Sequence, residues 1–178
     1  MARVTGIPDE LAGPLAAVGG DEVAIAGTGV LATGPFLDLT QTQWEEAVAA
    51  LRSAFLAAQA AARDGATRII FVSSTAAIRP VHGAALQAAA GAFLHTLAQV
   101  AAVELGPTGT TVNVVAPGFV GDERFVEATP AGRPPAPDDV AGACRLLASD
   151  RAGFVTGAVV PVDGGFSITK SVGGSPLV

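Results

Sequence analysis

Residues 68–74 read Arg68-Ile69-Ile70-Phe71-Val72-Ser73-Ser74. The large apolar side chains run consecutively, with no polar residue alternating between them. Because successive side chains of a strand point to opposite faces, a strand of this composition must be covered on both. That is the pattern of a buried strand in a parallel sheet, here Arg68–Ser73. Two further runs repeat it: Val23–Ala26, which leads into the turn Gly27-Thr28-Gly29, and Thr110–Ala116, closed by Pro117-Gly118. A last strand, Ala158–Val162, ends at Asp163-Gly164-Gly165.

Helical stretches lie between these strands. One is predicted over Gln43–Arg63, with Thr40 or Thr42 as N-cap and Gly65 as stop. A second covers Gly83–Leu105 and ends at Gly106-Pro107. A third runs from Asp138 to Ser149, after the proline-rich loop Thr129–Pro137. Strands alternating with helices predict an α/β domain, a parallel sheet of four to five strands with helices on both faces. At the N-terminus, Arg3–Gly6 is expected as a short strand and Asp9–Val18 as a short helix. With Val23–Ala26 they would form a minimal right-handed crossover that covers an otherwise unpaired apolar edge. The whole of 1–178 is read as a single domain, with an atypical segment at 1–21 and a mobile tail at 171–178.

Composition narrows the function classes. The chain is 50% hydrophobic but only 5% aromatic, so its core must be built mainly from Ala, Val and Leu. A net charge of −6 argues against nucleic acid or an anionic membrane as partner. The one cysteine, Cys144, excludes an internal disulfide and fits a reducing, cytoplasmic location. No signal peptide is read at the N-terminus. The alanine-rich stretches are interrupted by Arg, Asp, Gln and Glu, and none is expected to reach the length of a membrane span. No Cys/His/Asp cluster has metal-ligand spacing, so no metal is expected.

Four segments in order resemble the short-chain dehydrogenase/reductase family, over roughly its C-terminal two-thirds. Gly34-Pro35-Phe36-Leu37-Asp38-Leu39-Thr40 followed by Trp44 resembles the entry to the family's first long interface helix. Ile69–Ala77 resembles the strand ending at the catalytic serine. Glu104–Gly109 with Val112–Val120 resembles the sixth strand and its Pro-Gly exit, and Asp139–Gly165 the closing helix and last strand. The resemblance implies a Rossmann-like fold, truncated at its N-terminal side, and a dimer surface made by the two long helices.

The same resemblance identifies what is missing. Ser74 occupies the position of the family's catalytic serine, a vestigial one on this reading. Thirteen residues later, where the family has its tyrosine, stands Gln87; four residues on, in place of its lysine, stands Gly91. The family's asparagine aligns near Ala50. The chain contains no tyrosine, and its only lysine is Lys170. A glutamine amide has no proton to give a developing alkoxide, and glycine cannot lower the pKa of a neighbouring acid. The glycine fingerprint for a pyrophosphate has no counterpart among Gly6, Gly13 and Gly19-Gly20, and about sixty residues of the adenosine half-site are lacking. The loop between Phe119 and Asp138 is also shorter than the family's substrate lid.

Of the remaining polar residues, Ser74 reads as a carbonyl contact or a turn cap, and His82 as a base or a solvated loop residue. His95 reads as a packed or interface residue, and Cys144 as core. Asn113 is expected to bond neighbouring backbone, and Asp163 to cap the turn after the last strand. The sequence therefore predicts a non-catalytic subunit with no cofactor of its own. It would pair through helices 43–63 and 83–105 with a full-length, NAD(P)-dependent relative, or with itself. Ala47, Ala54, Ala58, Ala89, Ala92 and Leu97 are the expected contact positions. The alternatives are a cofactor-independent cyclase, isomerase or hydrolase built on Ser74, His82 and Gln87, or an oxidoreductase completed by a partner chain.

Overall fold

The computed structural model describes residues 1–169, so Lys170 and the tail at 171–178 lie outside the described residues. Five strands and four α-helices alternate: β1 (Arg3–Thr5), α1 (Asp9–Ala16), β2 (Val23–Gly27), α2 (Gln41–Arg63), β3 (Arg68–Val72), α3 (Ala85–Leu105), β4 (Thr111–Pro117), α4 (Pro137–Ala148) and β5 (Val159–Val162). The strands pair in sequence order, β1-β2-β3-β4-β5, and every pairing is parallel. β2, β3 and β4 are buried almost throughout, as their unbroken apolar runs require.

Alternate residues of the strands build two cores. Ile70 and Val72 join Val23, Ile25 and Val115 beneath α1 and α4, where Leu11, Leu15, Val140 and Cys144 are buried. Ile69 and Phe71 join Ala24, Ala26, Val112 and Val114 beneath α2 and α3, where Ala54, Ala58, Leu94 and Ala98 are buried. α2 starts two residues earlier than expected, because Thr40 and Gln43 cap it reciprocally. The Thr40 hydroxyl accepts from the Gln43 N–H at 3.2 Å, and the Gln43 side chain accepts from the Thr40 N–H at 2.9 Å.

The placement of α1 corrects one expectation. Strands that are parallel and sequential take crossovers of one hand only if their helices share a face. α1 lies with α4, opposite α2 and α3. The β1–α1–β2 crossover is therefore opposite in hand to the two long ones. With those in the usual right hand it is left-handed, not the right-handed unit expected. The Leu11 and Leu15 stripe calls for a sheet face but does not say which.

A second correction concerns α3. With its 3₁₀ extension, the segment Ala85–Thr108 has 24 residues and contains an 18-residue window of mean hydropathy 1.3, long and apolar enough to cross a membrane, contrary to the sequence reading. Charge is absent from this helix until Glu104. Its Leu94, Ala98 and Ala102 pack against β4 and its neighbours, so it forms one layer of the α/β sandwich.

The expected association surface also divides. Ala47, Ala54 and Ala58 are buried within the chain, whereas Ala89 and Ala92 face outward. The outer face of the two long helices is instead made by larger residues, including Phe55, Phe93, Val100 and Val103. Between them runs an apolar groove of about 350 Å³, floored by Ile69 and Phe71.

Candidate functional site

The chain leaves β1 toward one face of the sheet and β2 toward the other, and two exits diverging in this way open a crevice at the carboxyl ends of strands. A cavity of about 320 Å³ lies there, walled by Ile7, Leu11, Val30, Leu31, Phe119 and Val120 and floored by Val72, Ser73 and Ser74. Gln87 reaches it from α3, and Glu10 and Asp122 stand on its edge. Arg124 donates to the Asp122 carboxylate at 2.7 Å, which holds that carboxyl below its ordinary value and keeps it anionic.

The part of this crevice next to β1 is ill-suited to a pyrophosphate. The carbonyl of Gly6, a residue with a φ of 61°, accepts from the Gly29 N–H at 2.7 Å, so the β1 and β2 exits are joined backbone to backbone. A side chain at Gly6 would collide with the Gly27 carbonyl. The first turn of α1 carries Asp9 and Glu10, placing carboxylates where a Rossmann helix presents its N-terminus to phosphate. Among the described residues no lysine or arginine lines the cavity. The residues present do not fit a dinucleotide.

Each predicted site residue has a definite place. The Ser74 Oγ accepts from the Ala76 N–H at 3.1 Å and caps the short turn Thr75–Ala77. His82 is exposed in the following loop and does not line the cavity. The Gln87 Oε1 accepts from the Leu31 N–H at 3.3 Å, so the side chain in the acid's position anchors the 29–34 loop. A Cβ on Gly91 would lie 2.7 Å from the Ala77 Cβ, leaving no room for the stem of a lysine. Ala50 packs with Leu31, Ala47, Leu86 and Ala90 where α2 and α3 approach each other.

The structural residues also stand as read. Asn113 Nδ2 donates to the Val155 carbonyl at 2.8 Å and its Oδ1 accepts from the Ala158 N–H at 3.0 Å. The Asp163 carboxylate accepts from Gly165 and Ser167 at 2.9 and 2.8 Å. Cys144 is fully buried, and burial pushes its thiol up to about 12. Among the described residues no cluster of His, Cys, Asp or Glu could hold a metal.

One contact was not foreseen. Ser73 Oγ and His95 Nε2 are 2.9 Å apart. Gln87, Gly91 and His95 succeed one another at i, i+4 and i+8, so they share the stripe of α3 turned toward residues 73–77. Burial lowers the pKa of His95, which leaves its imidazole neutral at neutral pH. The short lid also closes down on the strand ends. Phe119 and Phe125 stack at 3.8 Å, Phe166 meets both edge-on, and the Arg79 guanidinium lies 4.7 Å over Phe166.

A parallel sheet layered by helices on both faces, with its crevice at the carboxyl ends of the strands, defines a Rossmann-like α/β domain. The chain belongs to the short-chain dehydrogenase/reductase family: the family pattern described as Enoyl-(Acyl carrier protein) reductase matches residues 16–167. It is 34% identical over 163 residues to the 3-oxoacyl-(acyl-carrier-protein) reductase MabA of Mycobacterium bovis, covering 83% of this chain and 66% of that protein. Among solved structures, a double mutant of a short-chain dehydrogenase/reductase from Serratia marcescens superposes with a TM-score of 0.76 at 35% identity, over 82% of this chain and 65% of that one. Acetoin dehydrogenase from Enterobacter cloacae gives a TM-score of 0.75 at 28% identity, over 83% and 65%. The chain thus spans about two thirds of the length of these relatives.

Proposed function

We propose that the chain is a short-chain dehydrogenase/reductase subunit without redox chemistry of its own, which assembles with a full-length, NAD(P)-dependent relative. The observation that carries this reading is the occupation of the proton-transfer positions. Gln87 is committed to the Leu31 backbone, and Gly91 is pressed against Ala77 at a distance that only glycine allows. Hydride transfer to a ketone needs an acid where Gln87 stands and a cation where Gly91 stands. Conversely, Phe55, Phe93, Val100 and Val103 give α2 and α3 an outward apolar face that is exposed among the described residues. A single domain and a cytoplasmic location, where the buried Cys144 thiol stays reduced, belong to the same reading.

Two measurements test it. Titration of the isolated chain against NADPH and NADH, followed by nicotinamide fluorescence, is expected to show no saturable binding. Native mass spectrometry of tagged chain from its own cells is expected to show a fixed stoichiometry with a larger family member that carries the tyrosine and lysine. Tight nicotinamide binding by the chain alone would overturn the reading.

A second reading, cofactor-independent chemistry in the crevice, is favoured by one observation, the Ser73–His95 contact at 2.9 Å. It moves the chemistry from Ser74 and His82, whose hydroxyl is engaged as a turn cap and whose ring is out in solvent.

A further inference from the structure

We propose that Ser73 and His95 form an acyl-transfer pair, with Ser73 Oγ as nucleophile toward small, uncharged esters that carry an apolar acyl group. The inference rests on the second reading above and names its residues and reaction.

Four observations converge on it. Ser73 is 6% exposed and lies on the floor of the 320 Å³ crevice. Its Oγ is at hydrogen-bond distance from an imidazole that α3 delivers from 22 residues away. With the proton on Nδ1, Nε2 accepts the Ser73 hydroxyl, the arrangement that a serine–histidine pair requires. The Ser74 N–H makes no hydrogen bond among the described residues. It is the amide immediately after the nucleophile, the position that supplies an oxyanion donor at strand-to-helix turns. The Ser74 hydroxyl, in contrast, is held by Ala76, which separates the two neighbouring serines by role.

The walls select the substrate. Ile7, Leu11, Val30, Leu31 and Phe119 offer an acyl chain an apolar surface. Asp122 is already paired with Arg124, so the Glu10 carboxylate is the net charge at the rim and disfavours anionic substrates. The reaction closes without a cofactor. Ser73 Oγ attacks the carbonyl carbon as its proton passes to His95 Nε2, and the Ser74 N–H stabilises the oxyanion. The bond from carbon to the alcohol oxygen breaks, and His95 returns its proton to that oxygen. Water, giving a proton to His95, then adds to the acyl carbon, the bond from that carbon to Ser73 Oγ breaks, and His95 returns the proton to Oγ, so ester and water give acid and alcohol.

The test uses the whole chain, a fluorophosphonate probe and p-nitrophenyl butyrate. The expected result is one covalent adduct mapped to Ser73, absent in Ser73→Ala, retained in Ser74→Ala, and formed about a hundredfold more slowly in His95→Gln. Ester turnover should follow the same order. No adduct, an adduct that persists in Ser73→Ala, or one on Ser74 would overturn the proposal. If Ser73→Ala fails to fold, Ser73→Cys preserves the volume. It should be alkylated by iodoacetamide at residue 73, faster with His95 than with His95→Gln, and equal rates would overturn the pair. Nicotinamide binding and partner stoichiometry do not enter this readout, so the pairing reading and this one can each fail alone.

Discussion

Gly91 and Ala77 stand so close that a Cβ on the glycine would lie 2.7 Å from the alanine's Cβ. α3 therefore rests on the 73–77 turn through a glycine, and the approach leaves no room for a longer side chain at this position. Adding a side chain overpacks the site, at a cost of about 1–3 kcal/mol. Gly91→Lys should lower the urea midpoint accordingly, and Ala77→Gly should recover most of the loss in the double variant. A double-mutant cycle by urea denaturation measures that coupling. Gln87→Tyr combined with Gly91→Lys should still fail to reduce ketones with NADPH. Activity in that double variant would show that the crevice holds the cofactor after all.

Asn113 makes a different kind of commitment. Its amide both donates to Val155 and accepts from Ala158, so one buried side chain holds the turn that feeds β5 onto the edge of the sheet. Asn113→Ala leaves a carbonyl and an amide without these partners, and is expected to cost about 2–3 kcal/mol in chemical denaturation. Asn113→Asp should be worse, since it sets a carboxylate oxygen against the Val155 carbonyl and buries a charge.

Much of this was legible in the sequence, for local reasons. The runs at 23–26, 68–73 and 110–116 admit few readings other than doubly covered strands. Counting on from Ser74 reaches Gln87 and Gly91, the two positions where the resemblance leads one to expect an acid and a cation. What stayed hidden was decided by tertiary packing. The i, i+4 spacing of Leu11 and Leu15 demands a sheet face without specifying one, so the hand of the first crossover was missed. Alanine covers several sides of α2 and α3, and nothing in the pattern separates buried Ala54 from exposed Ala92. The Ser73–His95 contact arises only once α3 docks on β3. The spacing of His95 from Gln87 and Gly91 was the available signal, two helical steps along the same stripe.

Asp139 provides a pH signature. The Arg133 guanidinium, which donates at 2.6 and 2.9 Å, and then the Ala136 N–H, hold its carboxyl at about 2 instead of 3.8. A depressed carboxylate pKa stabilises the fold above its unfolded value and loses that contribution as pH falls through the folded one. The window is therefore pH 4 down to 2. The pair is solvent-accessible, so the increment is small and screened by salt. Asp139→Asn should flatten the decline in melting temperature across that window, and raised ionic strength should flatten the wild-type curve in the same direction.

The last prediction separates folding from assembly on the same pair of helices. Ala54 is fully buried against the sheet, whereas Val100 is half exposed beside the apolar groove. A glutamate at position 54 would force a charge into the alkyl core, at several kcal/mol, so Ala54→Glu should unfold the chain and says nothing about partners. Val100→Glu places its charge in solvent in the isolated chain and costs the fold little. In an assembly built on α2 and α3 the same charge would be buried without a counter-ion. Circular dichroism should therefore show Val100→Glu folded with a near-native melting temperature, while native mass spectrometry shows the complex lost. A folded Val100→Glu that still assembles at full stoichiometry would move the contact away from the α2–α3 face, and with it the basis for reading this chain as a subunit of that kind.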